Sequence, residues 1–252
     1  MMDFSKKIVI VTGAGVGIGR SAAVLFAECG ASVVVNSLTP ANGTETLRLV
    51  QRNSDGIYVQ ADVSCSQDAE RLVHEAVSRY GRVDILVNNA GIVLPGKVDN
   101  ITEGDWDRTM QVNLKGVFLP SRYVIPLMKS QGGGVIVNVA SSVAIKGVKD
   151  RAAYAASKGG VVSLTKAMAA DYIEANIRVN CVCPGTTDTP SLKRRIDAFD
   201  DPEAALKNFI ARQPMGRFGR GEEIAASILF ASCDDCAFMN GAIIPIDGGM
   251  TV

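Results

Sequence analysis

Short apolar runs alternate with longer amphipathic segments along the whole chain. The apolar runs are rich in Val and Ile, whereas the segments between them carry apolar residues at helical spacing. Short β-branched runs separated by helices indicate right-handed βαβ crossovers and a parallel sheet covered on both faces. The predicted strands are Ile8–Thr12, Ser32–Asn36, Ile57–Gln60, Ile85–Asn88, Val135–Val139, Ile177–Val182 and Ala242–Ile246.

This alternation predicts a single α/β domain over residues 1–252. We expect a doubly wound, Rossmann-like parallel sheet of about seven strands with helices on both faces. Only the segment from Pro184 to Gly221 departs from the pattern, because it is long, rich in charge and irregular. Long insertions at the carboxyl ends of strands often cover ligands, so we predict a substrate lid at about 186–220.

Charge and hydropathy exclude several classes of partner. The chain has 26 Lys and Arg against 26 Asp and Glu, so no overall field attracts nucleic acid or an anionic membrane. No apolar run of about 18 residues predicts a membrane span, and the amino-terminal residues lack the pattern of a signal peptide. We therefore expect a cytoplasmic protein without a nucleic-acid or membrane partner.

The cysteines and the single histidine do not predict a metal or hydrolase site. Cys181 and Cys183 alternate in a strand-like run and are expected to share one face of the sheet. Cys233 and Cys236 form a CxxC motif without a second ligand pair, so we expect no metal there. His74 lies in a helical run and is interpreted as a surface residue.

Tyr154 and Lys158 lie four residues apart, and Ser141 precedes Tyr154 by thirteen positions. Residues i and i+4 share one face of a helix, so the phenol and the ammonium are expected to meet at one site. The positive charge is expected to lower the pKa of Tyr154, which favours proton exchange with an alcohol or a carbonyl. For the pair alone, an ordinary surface Tyr and Lys is the alternative.

A glycine-rich turn, Thr12–Gly19, follows the first strand and precedes a helix. Glycines there let the backbone approach a diphosphate, whose charge is met by the helix N-terminus. Asn88–Gly91 ends the fourth strand with small residues against which an adenosine ribose fits. Asp62, after the third strand, is expected either to accept a hydrogen bond from an adenine amino group or to cap a helix. Together these features predict a dinucleotide site.

These motifs, in this order, resemble those of the short-chain dehydrogenase/reductases. They are TGxxxGxG at Thr12–Gly19, NNAG at Asn88–Gly91, Asn113, Ser141, YxxxK at Tyr154–Lys158 and PG at Pro184–Gly185. The resemblance extends to Ile246–Gly249 and therefore covers the whole chain. It implies an oxidoreductase that transfers a hydride between a nicotinamide dinucleotide and a secondary alcohol or ketone, with no metal.

The resemblance implies a catalytic set of Asn113, Ser141, Tyr154 and Lys158. Tyr154 would be the general acid/base, and Lys158 would lower its pKa and hold the nicotinamide ribose. Ser141 would donate a hydrogen bond to the substrate oxygen, and Asn113 would support a water that links Lys158 to solvent. Ser142 is adjacent, but the spacing to Tyr154 favours Ser141.

The residues expected to bind the dinucleotide lie in several segments that the family motifs mark. They are Gly13, Gly15, Gly17, Ile18, Gly19, Asn36, Ser37, Asp62, Val63, Asn89, Ala90, Gly91, Tyr154, Lys158, Pro184, Gly185, Thr187 and Thr189, the last expected at the nicotinamide carboxamide.

The end of the second strand bears on the choice of dinucleotide. Many NAD-dependent members carry an acidic residue there, whereas this chain has Asn36, Ser37 and Thr39, which offer neutral donors. Arg20 and Arg48 are the nearest basic residues in sequence, and neither can be placed at a 2′-phosphate. We expect NADP(H) to be favoured, with NAD(H) as the alternative.

Three stretches are similar to one branch of the family, namely Val179–Thr186, Asp188–Leu192 and Ala211–Arg217. That branch holds the cytosolic type of 3-hydroxybutyrate dehydrogenase and dehydrogenases of 2-keto-3-deoxy sugar acids. In that branch, arginines at the places of Arg151, Arg195 and Arg212 face the substrate carboxylate, which a guanidinium suits. Solvated surface arginines are the alternative. The branch has an aspartate after the second strand, and this chain does not.

The resemblance therefore implies a small-molecule substrate, a hydroxy acid or a sugar acid. Alternatives are a 3-oxoacyl-acyl-carrier-protein reductase, a general carbonyl reductase and, in another class, a non-catalytic dinucleotide-sensing regulator.

Two helical patterns, Leu114–Lys129 and Tyr154–Asn176, carry more apolar residues than a one-sided helix needs. Family members pair these helices in a four-helix interface, which implies a homotetramer, with a dimer as the fallback. Packing of these helices against the sheet alone is the alternative.

Overall fold

The computed structural model describes residues 2–252 and contains a seven-stranded, fully parallel sheet. Its strands are β1 (Ile8–Val11), β2 (Ser32–Asn36), β3 (Gly56–Val59), β4 (Ile85–Asn88), β5 (Gly134–Val139), β6 (Ile177–Pro184) and β7 (Ile243–Ile246). Their order is β3-β2-β1-β4-β5-β6-β7, so the direction of winding reverses between β1 and β4. Such a reversal opens a crevice at the carboxyl ends of the strands.

Helices connect the strands and cover the sheet. The α-helices are α1 (Gly17–Glu28), α2 (Pro40–Val50), α3 (Ser66–Tyr80), α4 (Glu103–Met110), α5 (Gly116–Ser130), α6 (Ala152–Asp171), α7 (Pro190–Asp197), α8 (Pro202–Ile210) and α9 (Gly221–Ser232). A π-helical turn, Gln111–Lys115, joins α4 to α5. Within residues 2–252, no helix combines the length and the apolar character that a membrane crossing requires.

Both faces of the sheet are buried. Val9 and Val11 pack into one apolar core with Phe26 of α1, whereas Ile10 between them packs into the opposite core with Leu72 of α3. Consecutive residues of a strand point to opposite faces, so β1 reads as a continuous apolar run because each face meets helices. The expected doubly wound architecture is confirmed.

The lid, defined here as residues 186–220, was expected to be irregular and contains α7 and α8 instead. The Thr189 hydroxyl accepts a hydrogen bond from the Leu192 amide, and the Asp201 carboxylate accepts one from the Ala204 amide. A proline follows each capping residue, and capping residue plus proline is a helix-start signal. The pairs Thr-Pro and Asp-Pro are therefore the signal that the sequence interpretation missed.

Candidate active site

The glycine-rich turn after β1 passes directly against the loop that follows β4. Gly13 and Gly17 have φ of +61° and +57°, in the left-handed region that favours glycine. A Cβ on Gly13 would lie 2.7 Å from the Cα of Ala90. No side chain caps the amino end of α1, so its first N–H groups stay available to an anionic ligand.

This turn forms one wall of a cleft of about 690 Å³ at the carboxyl ends of β1, β2 and β4. The volume of the cleft, the glycine-rich turn and the uncapped amino end of α1 together fit a dinucleotide. The expected cofactor residues that line the cleft are Gly13, Gly15, Gly17, Ile18, Gly19, Asn36, Ser37, Asp62, Val63, Asn89, Ala90, Gly91 and Thr189. The others line an adjoining cavity and are Tyr154, Lys158, Pro184, Gly185 and Thr187.

Asn36 does not offer the free donor that the sequence suggested. Its side-chain oxygen accepts a hydrogen bond from the Gly13 amide at 3.2 Å. Its Nδ2 donates to the carbonyls of Val59 and Ala61 at 3.2 and 3.0 Å. The buried amide therefore fastens the glycine turn to β3, and both of its functional groups are already occupied.

Ser37 and Arg20 are also engaged within the protein. The Ser37 hydroxyl donates to the Thr39 carbonyl and accepts from the Thr39 amide, each at 3.2 Å. Arg20 donates to the carbonyl of Gly15 and, at 2.9 Å, to the Thr46 hydroxyl, which holds the glycine turn against α2. Arg20 is therefore a structural residue and does not face the ribose end of the cleft.

Asp62 does not cap α3, because Cys65 occupies that position. Its Oδ1 accepts hydrogen bonds from the Ser64 amide and hydroxyl at 2.9 and 2.7 Å. The carboxylate thus shapes the loop after β3, and the residue lines the cleft as expected.

Ser141, Tyr154 and Lys158 converge on the adjoining cavity, which has a volume of about 180 Å³. Ser141 follows β5, whereas Tyr154 and Lys158 lie one turn apart on α6. The Nζ of Lys158 is 6.0 Å from the centre of the Tyr154 ring. The expected convergence of these three side chains is therefore present in the structure.

Burial affects the pKa values of Tyr154 and Lys158 more than any neighbouring charge does. Burial raises the pKa of Tyr154, while the Ser141 hydroxyl and the charges of Arg195 and Arg151 act to lower that pKa. Burial also lowers the pKa of Lys158 to about 8, and its ammonium donates to the Val139 carbonyl at 2.8 Å. The predicted lowering of the Tyr154 pKa by Lys158 is therefore not seen; the two arginines are the cations that favour the phenolate.

Asn113 lies in the π-helical turn and is fully buried beneath the site. Its side chain accepts from the Ile92 amide at 2.8 Å and donates to the Ile92 carbonyl and the Ser157 hydroxyl at 3.0 and 3.1 Å. A Cβ on Gly91 would lie 3.2 Å from its Oδ1 and 3.4 Å from the Nζ of Lys158. Asn113 thus ties the loop after β4 to α6 beside Lys158.

The two adjacent serines have different partners. The Ser142 hydroxyl donates to the sulfur of Met250 at 3.3 Å and is almost inaccessible to solvent. The Ser141 hydroxyl accepts from the Val143 amide at 3.2 Å and lies beside Tyr154. This difference supports Ser141 as the residue that meets a substrate oxygen.

Arg151, Arg195 and Arg212 also line the 180 Å³ cavity. Arg151 is 8% exposed, and the Nε of Arg195 is buried without a hydrogen-bond partner. Burial lowers the pKa of each guanidinium, and the neighbouring arginines lower that of Arg195 further. None of the three pairs with a carboxylate of residues 2–252. Three cations in one partly buried cavity, none of them paired with a carboxylate, could be neutralised by an anionic ligand.

The chain is similar to known proteins along nearly its whole length. Residues 13–251 match the family model described as enoyl-(acyl carrier protein) reductase. An uncharacterized oxidoreductase of Thermotoga maritima is 49% identical, with 99% of each chain covered. Dehydrogenase/reductase SDR family member 6 of Rattus norvegicus is 40% identical, with 98% of each covered.

The solved structure of levodione reductase superposes with a TM-score of 0.95 at 34% identity, over 98% of each chain. The chain belongs to the short-chain dehydrogenase/reductase family. As a member of that family it is an NAD(P)-dependent oxidoreductase, and its sheet is the Rossmann-like sheet of the family.

Several residues of this short-chain dehydrogenase/reductase site escaped the sequence interpretation. Met250, Phe209 and Ser191 line the 180 Å³ cavity. Gln213 is buried and accepts from the Thr186 amide at 3.0 Å while donating to the Phe209 carbonyl at 2.7 Å. Since these residues come together only through tertiary packing of the lid and the carboxyl-terminal segment, no local pattern marks them.

The residues set aside in the sequence lie away from the site or within the core. Cys181 and Cys183 share a sheet face, as expected, with sulfurs 3.9 Å apart. His74 is exposed on α3. Within residues 2–252, no group of three or more His, Cys, Asp or Glu side chains is arranged to hold a metal ion.

Proposed function

We propose that the protein transfers a hydride between a nicotinamide dinucleotide and a small secondary alcohol or ketone that carries a carboxylate, such as a hydroxy acid or a sugar acid. The observation that carries the proposal is the convergence of Arg151, Arg195 and Arg212 on the cavity of Tyr154 and Ser141. A carboxylate there would meet guanidinium groups that lack an acidic partner, and it would relieve their mutual repulsion.

Each side chain of the site has a distinct part in this reaction. The nicotinamide, when bound, supplies or accepts the hydride. Tyr154 exchanges the proton with the substrate oxygen, and Ser141 donates a hydrogen bond to that oxygen. Lys158, whose ammonium donates to the Val139 carbonyl, would hold the nicotinamide ribose, and Asn113 fixes the loop beside it. Arg151, Arg195 and Arg212 orient the substrate through its carboxylate.

NADP(H) is the proposed dinucleotide, with NAD(H) as the alternative. Support comes from the end of β2, where Asn36, Ser37 and Leu38 place no carboxylate that would repel a 2′-phosphate. With the Asn36 amide and the Ser37 hydroxyl occupied and Arg20 turned away, the 2′-phosphate would rely on the Thr39 hydroxyl and nearby backbone groups. The preference for NADP(H) is therefore expected to be modest.

A 3-oxoacyl-acyl-carrier-protein reductase is the second candidate, because an enzyme of that description from Thermotoga maritima is 38% identical over the whole of both chains. Such an enzyme must admit a long, carrier-bound chain. The small cavity, lined by Arg195 and Phe209 of the lid and by Met250, favours a small free acid instead.

We also propose that the protein is a homotetramer. Phe118 of α5, one of the two helices expected to form the interface, is 41% exposed, which is consistent with a face that a second copy covers. Multi-angle light scattering should give four times the mass of the chain. A monomer at micromolar concentration contradicts the proposal.

The substrate proposal is tested by initial rates of NADP and NAD reduction over pairs of alcohols. Each pair consists of a hydroxy acid or a deoxy sugar acid and its neutral amide. We expect activity on the acids, with the amides about 10²-fold or more slower in kcat/KM. Acyl-thioesters that outperform the free acids would favour the second candidate, and amides that match the acids would contradict the proposal.

A further inference from the structure

Helix α7 of the lid borders both cavities of the site. Ser191 in its first turn lines the dinucleotide cleft and the substrate cavity alike, as does the capping residue Thr189. Gly17 of the glycine turn approaches Thr189, since a Cβ on Gly17 would lie 3.1 Å from its methyl group. The helix therefore begins at the boundary between the two cavities, against the glycine turn.

The basic residues of α7 point in different directions. Successive residues on an α-helix are rotated by about 100°, so Ser191 projects between Arg194 and Arg195. Arg195 lines the substrate cavity, whereas Arg194 lines the dinucleotide cleft. Lys193 is exposed and lines neither.

Packing fixes this orientation. Leu192 and Ile196, one turn apart, are buried against Ala205 and Phe209 of α8 in a small apolar cluster. That cluster is separate from the two cores that cover the sheet. Because the buried stripe sets the rotation of α7, Arg194 is held toward the cleft, and it forms no ion pair within residues 2–252.

We infer that Arg194 binds the diphosphate of the dinucleotide, so that α7 contacts the cofactor with Arg194 and the substrate with Arg195. The glycine turn and the uncapped end of α1 meet the diphosphate from one side of the cleft. Arg194 of the lid supplies a cation to the same cleft. Only the part assigned to Arg195 rests on the proposed carboxylate substrate.

Isothermal titration of the full-length protein with fragments of the cofactor tests this inference. ADP-ribose carries the diphosphate, 2′-AMP carries only the 2′-phosphate, and adenosine carries neither. We expect Arg194→Gln to weaken ADP-ribose binding about tenfold, the loss expected for a charged hydrogen bond, and to leave 2′-AMP and adenosine unchanged. Arg194→Lys should restore part of the affinity.

Lys193→Gln is the matched control, because it removes the same charge from the neighbouring position outside both cavities. Equal ADP-ribose affinity in wild type and Arg194→Gln overturns the inference, as does an equal loss in Lys193→Gln or a loss confined to 2′-AMP. Wild-type protein that binds no ADP-ribose overturns the assignment of the cleft. The acid and amide rates of Arg195→Gln test the proposed substrate separately.

Discussion

Tyr154 lies in a setting where burial and charge act in opposite directions. Burial raises its pKa above the ordinary value, while Arg195 and Arg151 favour the phenolate. The same arginines are the ones proposed to hold the substrate carboxylate. Substrate orientation and proton transfer are therefore linked through shared charges, which the spacing of Tyr154 and Lys158 in the sequence does not reveal.

This link predicts a shift in the pH dependence of alcohol oxidation. The phenolate is the proton acceptor, so kcat/KM for oxidation should rise with pH as Tyr154 ionises. Arg195→Gln removes a charge that lowers the Tyr154 pKa, so the midpoint of that rise should move to higher pH. Lys193→Gln should leave the midpoint unchanged. A midpoint that stays or falls in Arg195→Gln would contradict this electrostatic account.

The adjacent serines predict unequal losses. Ser141→Ala removes the donor to the substrate oxygen and should lower kcat about 10²-fold with little change in dinucleotide affinity. Ser142→Ala removes only the contact with the Met250 sulfur, so kcat should change much less. Steady-state kinetics with fluorescence titration of NADPH checks both variants. A larger loss in Ser142→Ala would exchange the assigned roles.

At the scale of elements, the sequence predicted what local pattern determines. Strand β2 was predicted at its observed bounds because both of its faces are buried, whereas β6 extends two residues beyond the prediction, to Pro184. The helices of the lid were missed because their few buried apolar residues lie among charged residues, so no clear helical periodicity is visible in the sequence. Contacts such as those of Gln213 depend on tertiary packing and leave no mark in the local sequence.

Arg178 illustrates such a tertiary contact. From β6, its guanidinium donates to the carbonyls of Ser232 and Cys233 at 3.1 and 2.9 Å, which satisfies the carboxyl end of α9. It also donates to the Met239 carbonyl at 3.1 Å. The residue thereby joins the last crossover helix to the sheet.

Arg178→Met should therefore destabilise the protein by about 1–3 kcal/mol, because it keeps much of the aliphatic bulk but removes the guanidinium donors to the Ser232, Cys233 and Met239 carbonyls. Urea unfolding at constant protein concentration measures the loss. Arg52→Met, an exposed arginine after α2 without an ion pair within residues 2–252, is the control and should change stability little. Equal midpoints for the two variants would contradict the role given to Arg178.

At the scale of the whole molecule, the crevice created by the reversed winding becomes two adjoining cavities. The dinucleotide cleft is built from the sheet and α1, and the fold places it there. The substrate cavity is completed by α6, the lid and the carboxyl-terminal segment. Its chemistry therefore depends on residues such as Arg195 and Met250, which the shared fold does not specify.

The central claim is that three arginines make this cavity selective for a carboxylate. The most direct measurement is the ratio of kcat/KM for a hydroxy acid to that for its amide, in wild type and in Arg195→Gln. We predict a wild-type ratio of about 10² or more, falling by at least about tenfold in Arg195→Gln through a loss confined to the acid. A wild-type ratio near one, or an equal loss for acid and amide in Arg195→Gln, would contradict the claim.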